Sequence, residues 1–168
     1  MNYYLPEDIG VLNVELVAHE FHSRLHAKSK CYRYTIYKST QGTKPVFNRK
    51  FVTILEEQLD LFKIQKGIEL LIGTHDFKGF CSDKTKKTTV RTLHSIDIIE
   101  DNEYIYFDFI GDGFLHHMIR IIMGTLIEIG TLQRKAETIT TVFDTKDRSL
   151  AGYLTPAEGL CLEEVFYE

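Results

Sequence analysis

The chain has 168 residues, of which 43% are hydrophobic and 12% aromatic, so it can bury a core and is not a disordered chain. Its length predicts one ordinary domain, and no apolar stretch is long enough to cross a bilayer. The formal net charge of −4 argues, taken alone, against a nucleic-acid partner.

The first half of the chain predicts two strands and one helix. Residues 11–17 alternate between apolar and polar side chains, which is typical of a short strand. Residues 30–39 form the clearest period-2 pattern, with Tyr32, Tyr34 and Ile36 on one face. Residues 40–48 then predict a loop. Residues 59–72 predict a helix with one apolar stripe that includes Phe62.

The second half predicts a hairpin, two helices and a last strand. The hairpin joins residues 90–100 to residues 103–110. The helices are residues 114–129, apolar nearly all round, and a weaker one at residues 135–143. The remaining segments predict loops at 74–80, 82–89 and 144–159, and a strand at 160–167. This order indicates an α+β fold over residues 1–168, a single domain with a mostly antiparallel sheet covered by helices.

Arg120 is the unusual residue of the apolar helix. A buried guanidinium keeps its proton and needs a partner, and Glu128 is about 12 Å further along the helix axis. Two interpretations are open: an ordinary ion pair inside the fold, or an arginine that orients a catalytic carboxylate or holds a phosphate. The candidate partners for the ion pair are Asp76, Asp108, Asp112 and Asp147.

Two further groups allow a structural or a functional interpretation. Tyr32, Tyr34 and Tyr37 alternate with Lys30 and Arg33, which predicts cross-strand packing or a surface on which bases stack. The second group is a basic cluster, either a solvated turn or a contact to an RNA backbone. Its members are Lys84, Lys86, Lys87 and Arg91.

The segment before Arg120 carries two adjacent histidines. His116 and His117 lie four and three residues before Arg120, so on a helix they share or adjoin its face, but their own rings are expected to point apart. Joint metal binding is therefore not predicted. Gly111-Asp112-Gly113 could hold an anion at the helix N-terminus, although Asp112 is more simply a helix cap or a turn residue.

The N-terminal residues and the cysteines favour an intracellular protein. The first residues lack the basic start and apolar run of a signal peptide. Cys31, Cys81 and Cys161 are an odd number and are widely spaced, which predicts free thiols in a reducing compartment. Cytoplasm is the expected location.

Nine motifs occur along the chain in one characteristic order. The most specific is G-F-L-H-H-M-I-R at residues 113–120, followed by G-T-L-I-E-I-G at 124–130. The others lie at residues 5–9, 21–24, 27–34, 73–77, 89–91, 147–152 and 156–162. Together they resemble the C-terminal half of the tRNA pseudouridine synthase A (TruA) family, over essentially the whole chain.

The resemblance implies an isomerase that converts uridines of the tRNA anticodon stem-loop to pseudouridine, with no cofactor and no metal. A catalytic aspartate acts on a uridine that has left the base stack. By position in the motifs, Tyr32 would stack on the target base, Arg120 would pair with the catalytic aspartate, and Leu160 would form an apolar wall. The RNA-binding residues expected are Arg24, Lys30, Arg33, Lys84, Lys86, Lys87, Arg91, His116 and His117.

One departure from the family pattern concerns the nucleophile. The family carries it in a Gly-Arg-Thr-Asp motif of the N-terminal half, and this sequence contains no such string. We therefore expect a truncated or split gene product that is inactive alone. Its expected partners are tRNA, an N-terminal catalytic domain and a second copy in a homodimer. Asp76 and Asp112 lack the motif of a substitute nucleophile.

The alternative is a stand-alone RNA-binding module without catalysis. Arg120 favours the enzyme, because a pure binding module does not need a buried arginine without a local acid.

Overall fold

A computed structural model describes residues 1–168 and has an α+β architecture, as predicted. The strands are β1 (Ser29–Lys38), β2 (Thr53–Leu55), β3 (Gly73–Asp76), β4 (Val90–Glu100), β5 (Tyr104–Gly111) and β6 (Leu160–Phe166). The helices are α1 (Leu61–Leu71), α2 (Met118–Gly130) and α3 (Thr138–Thr145). None of these helices is long and apolar enough to span a membrane.

The sheet is mostly antiparallel and has the order β2-β1-β5-β4-β3. β1 is its centre, because β5 pairs along one side while β6 and β2 share the other side. Only the pairing of β1 with the short β2 is parallel.

The core lies between one face of this sheet and the helices. In β5, Ile105, Phe107 and Phe109 are buried, while the alternate residues are only half-buried, as the period-2 geometry of a strand requires. The inward face packs on α2, in which eleven of thirteen residues are buried. A single cluster of 25 buried residues joins the sheet to all three helices.

Residues 11–17 do not form the predicted strand. No strand pairs with this segment, although the outer edge of β6 is unpaired. Leu12 and Leu16 are fully exposed, at 102% and 104%, so the alternation of residues 11–17 buries no apolar face that would hold a strand in place. Two real strands, β2 and β3, were not predicted because they have only three and four residues.

Helix α2 begins at Met118, four residues later than the sequence predicts. His117 adopts a left-handed backbone with φ of 63°, which interrupts helical geometry at that point. The Asp112 carboxylate accepts a hydrogen bond from the Thr92 amide (3.1 Å) and does not cap the helix. The proposed anion site at residues 111–113 is therefore wrong. Phe62 of α1 also departs from the predicted stripe, since it is 68% exposed.

A backbone contact holds the segment after α3 against the middle of α2. A Cβ atom on Gly124 would overlap the Tyr153 carbonyl oxygen, and one on Gly152 would overlap the Thr125 amide. The Gly152 amide also donates to Thr125 Oγ1 (2.8 Å). Glycine is required at both positions because the two backbones touch.

We predict that Gly124→Ala and Gly152→Ala each lower the free energy of unfolding by about 3 kcal/mol or more, or prevent folding. Alanine alone would favour α2 by about 1 kcal/mol, so a loss at Gly124 must come from the contact. Urea unfolding followed by circular dichroism measures the change. Gly10→Ala is the control, because nothing lies within 4 Å of its Cβ position. Equal stability of all three variants would contradict the contact.

Candidate functional site

A basic cleft of about 650 Å³ opens where the start of β1, the start of β4 and the segment before α2 meet. Five of the predicted RNA-binding residues line it: Arg24, Lys30, Lys86, Arg91 and His116. Lys28 joins them, and Asp83 and Asp112 are its acids. The residues come from four separate parts of the sequence, so only the fold creates this concentration of cations.

Three of the predicted RNA-binding cations lie outside the cleft lining. Lys84 and Lys87 are exposed on the turn that carries Lys86. Arg33 points to the opposite face of the sheet, where it forms two hydrogen bonds of 2.7 and 2.6 Å to the Asp108 carboxylate. This contact raises the pKa of Arg33, and the guanidinium also lies over the Tyr106 ring. Arg33 is thus paired with Asp108 and does not line the cleft, although it is one of the predicted RNA-binding residues.

His116 lines the cleft, and His117, which is also a predicted RNA-binding residue, follows it outside the cleft lining. Their rings stack with centroids 3.7 Å apart, so the expectation that they point apart is wrong. His117 Nδ1 lies 3.1 Å from Ser82 Oγ. Burial lowers the pKa of His117, and the neighbouring His116 and Arg120 lower it further. The left-handed backbone of His117 makes this stacking possible and also turns the chain into α2.

Arg120 is half-buried and is clasped by the segment before β6. Its Nε donates to the Thr155 carbonyl oxygen (2.7 Å), while Thr155 Oγ1 donates to the Arg120 carbonyl oxygen (3.0 Å). These two hydrogen bonds fix the direction of the arginine side chain. The sequence offers no local signal for Thr155, because the contact joins residues 35 apart in the chain.

Arg120 has no carboxylate partner in the structure. The four ion pairs are Arg33–Asp108, Lys38–Glu100, Arg134–Glu128 and Lys146–Asp76. Of the other two candidates, Asp112 accepts from the Thr92 amide and Asp147 from the Ser149 amide. The interpretation of Arg120 as an ordinary internal ion pair is therefore wrong.

The region of Tyr32, Arg120 and Leu160 is here called the candidate pocket, and its aromatic side comes from β1 and β6. Tyr32 pairs with Leu162 and Tyr34 with Leu160, so these four residues lie on the same face of the sheet. Tyr32 is half-buried and packs edge-on against Phe114 (5.2 Å between centroids), which also lines the basic cleft. Cleft and pocket are thus joined through one aromatic pair.

Tyr34 holds the loop that leads to Leu160. It is fully buried, and its hydroxyl bonds Thr53 Oγ1 (2.6 Å) and the Pro156 carbonyl oxygen (2.9 Å). Burial raises the pKa of Tyr34, although its hydrogen bonds and the charge of Arg120 offset part of that effect. Tyr34 therefore connects the loop before Leu160 to β2 and stays protonated.

This arrangement offers free cations for phosphates, an aromatic ring for a base and a guanidinium end for an anion. The structure has no group of three His, Cys, Asp or Glu side chains placed to bind a metal ion.

Comparison with known proteins gives the family. The family described as tRNA pseudouridine synthase matches residues 68–168. The chain is 42% identical over 168 residues to tRNA pseudouridine synthase A of Clostridium kluyveri, covering 99% of this chain and 68% of that protein. It is 43% identical to tRNA pseudouridine synthase A 2 of Clostridium tetani and 42% identical to tRNA pseudouridine synthase A 1 of Bacillus cereus. It covers 67% of each of these, with 99% of this chain aligned.

The chain therefore belongs to the tRNA pseudouridine synthase family and contains a domain of the tRNA pseudouridine synthase A type. This confirms the resemblance found in the motifs. About one third of the length of these relatives lies outside the match.

We predict that the His117 imidazole titrates below its ordinary pKa of about 6.5. Because the folded pKa is lowered, the neutral ring favours folding above about pH 6.5, and this contribution is lost as the pH falls. The His117 ring proton shift, followed by NMR against pH, measures the midpoint. His116→Ala should move that midpoint upward, since it removes one nearby cation. A midpoint at or above the ordinary value in the unaltered chain would refute the effect.

Proposed function

We propose that this chain supplies the C-terminal domain of an enzyme that forms pseudouridine in the tRNA anticodon stem-loop. Tyr32 stacks on the target base, Arg120 pairs with the catalytic aspartate, and Leu160 forms an apolar wall. The observation that carries the proposal is the free guanidinium end of Arg120, held in one direction by Thr155 and without a carboxylate.

The basic cleft is the proposed RNA-backbone site beside this pocket. Phosphates would meet Lys30, Lys86 and Arg91, while His116 stands where the cleft meets the pocket. The Phe114 ring between cleft and Tyr32 gives a bound strand a continuous path from phosphate contacts to the stacking ring.

The nucleophilic aspartate is proposed to come from outside residues 1–168, in the N-terminal domain that completes the catalytic cleft. Asp76 is engaged with Lys146 (2.7 Å) and Thr89 (2.5 Å), and Asp112 with the Thr92 amide, so neither is free to pair with Arg120. The working enzyme is proposed to be a cytoplasmic homodimer that needs no cofactor.

The basic cleft predicts a strongly salt-dependent affinity for RNA. Replacing Lys30, Lys86 and Arg91 together by alanine should weaken binding of an anticodon stem-loop RNA at least tenfold at low salt. The slope of log affinity against log salt should become shallower by about 2 to 3. Each phosphate contact that is lost reduces by about one the number of counterions that binding releases. Fluorescence anisotropy measures both quantities. Lys63→Ala, an exposed lysine of α1, serves as control, and an unchanged slope in the triple variant would exclude the cleft.

The role of Arg120 requires a complete enzyme. In a chimera, this chain replaces the matching two thirds of the Clostridium kluyveri relative. We expect Arg120→Ala to lower the single-turnover rate at least 100-fold while the tRNA Kd changes less than about threefold, because the residue acts on the chemistry. Release of tritium from labelled uridine measures the rate.

Three outcomes separate the hypotheses in this experiment. Loss of affinity with an intact rate would make Arg120 a phosphate contact. A chimera that binds tRNA but has no activity would favour the stand-alone RNA-binding module. Conversion of the stem-loop by the 168-residue chain alone would contradict an external nucleophile.

A further inference from the structure

The loop at residues 40–51, here the β1–β2 loop, is the most basic exposed segment without an assigned role. It contains Lys44, Arg49 and Lys50 and no acidic residue, within a chain whose net charge is −4. None of its cations forms an ion pair. The loop therefore presents three free positive charges to solvent.

The same loop exposes three large apolar side chains. Val46 is 77% exposed, Phe47 93% and Phe51 71%. An aromatic ring that is almost fully exposed gains nothing from the core of its own chain, so folding alone does not account for it. Alternation of free cations with exposed aromatic rings is the pattern that single-stranded nucleic acid recognises.

One hydrogen bond fixes the start of the β1–β2 loop to the sheet, and two others order the loop itself. The Ser39 amide donates to the Leu55 carbonyl oxygen of β2 (2.8 Å). Ser39 Oγ donates to the Thr43 carbonyl oxygen (2.8 Å), and the Phe51 amide donates to the Asn48 carbonyl oxygen (2.9 Å). The exposed side chains are thus carried by an anchored loop rather than a free tail.

A groove of about 520 Å³ runs beside this loop. Lys44, Arg49 and Lys50 line it together with Ile54 and Glu158, its single acid. Ile54 follows Thr53 on β2, and because strand side chains alternate, it lies on the face of the sheet opposite to Tyr34, which bonds the Thr53 hydroxyl. The groove is therefore separate from the candidate pocket, and three cations face one acid in it.

The basic cleft and the β1–β2 loop lie at opposite ends of β1. Lys30 lines the cleft near the start of this strand, and the loop leaves from its end after Lys38. Eight residues of strand span about 26 Å, with Tyr32 and Tyr34 between them.

We propose that the β1–β2 loop is a second RNA-binding surface, which holds single-stranded nucleotides at the end of β1 away from the basic cleft. The phosphates contact Lys44, Arg49 and Lys50, and a base stacks on Phe47. This surface rests on the proposed function, since it serves the same RNA substrate, but none of its residues belongs to the cleft or pocket described above.

The first test uses fluorescence anisotropy with an anticodon stem-loop RNA. Replacing Lys44, Arg49 and Lys50 by alanine should weaken binding about tenfold at low salt and lower the salt slope by about 2 to 3. The matched control replaces Lys63, Lys66 and Lys135, three exposed lysines of another groove, and should change affinity less than about threefold. Equal losses of affinity in the two triple variants would mean that the RNA responds only to the total charge of the protein, and would overturn the proposal.

The second test isolates stacking. Phe47→Ala should weaken binding of the stem-loop about tenfold, yet leave unchanged the binding of a blunt duplex made from the same stem. Phe62→Ala is the control, because Phe62 is an aromatic residue of α1 with 68% exposure. An equal loss on stem-loop and duplex, or no loss on either, would overturn the stacking contact.

The outcomes also distinguish this surface from the proposed function. If the cleft variant loses RNA affinity and the loop variants do not, the proposed function stands and the second surface is refuted. If the unaltered chain does not bind the stem-loop at all, both are refuted. If Phe47→Ala changes the mass of the protein in solution, measured by light scattering, but not RNA affinity, the loop is an interface between copies and the proposal fails.

Discussion

The backbone contact between Gly124 of α2 and Gly152 determines the form of the functional site. With no side chain at either position, the segment after α3 lies directly on the helix, and the Gly152 amide bonds Thr125 Oγ1. Three residues later Thr155 meets Arg120 and the two exchange hydrogen bonds. The direction of the arginine therefore follows from a steric constraint one turn further along α2.

Charged side chains also hold the segment after α3 in place. Glu128 pairs with Arg134 at 2.6 Å, and Arg134 donates to the Leu150 carbonyl oxygen. Arg148 donates to the Gly152 carbonyl oxygen (2.9 Å). These contacts satisfy polar groups around the loop, and none of them uses the guanidinium of Arg120.

The free positive charges of this protein are gathered on particular surfaces. Cations from three segments meet in the basic cleft, and three more lie together in the β1–β2 loop. Arg33 shows the opposite case, because Asp108 across the sheet neutralises it. A net charge of −4 is an average over these surfaces, and it does not describe the face that an RNA phosphate would meet.

The sequence by itself determined the family, the α+β class and the central elements. Strong periodicity in residues 30–39 and in the two long helices gave their positions to within a few residues, because burial of one face imposes that period. It failed for residues 11–17, where the alternating apolar side chains stay exposed and bury no face, and for β2 and β3, which are too short to show a period. It also placed the start of α2 too early, since nothing in the pattern reveals the left-handed backbone of His117.

Only the tertiary structure decided which charged residues act together. Lys86 and Arg91 join Lys30 in one cleft, whereas Arg33, three residues after Lys30, lies on the other face because strand side chains alternate. The sequence raised the problem of a partner for Arg120 and named four aspartates. The structure showed each of them engaged elsewhere: three contact residues distant in the chain, and Asp147 accepts from the Ser149 amide two residues on. Composition and periodicity describe local preference, and the meeting of distant side chains is fixed by packing.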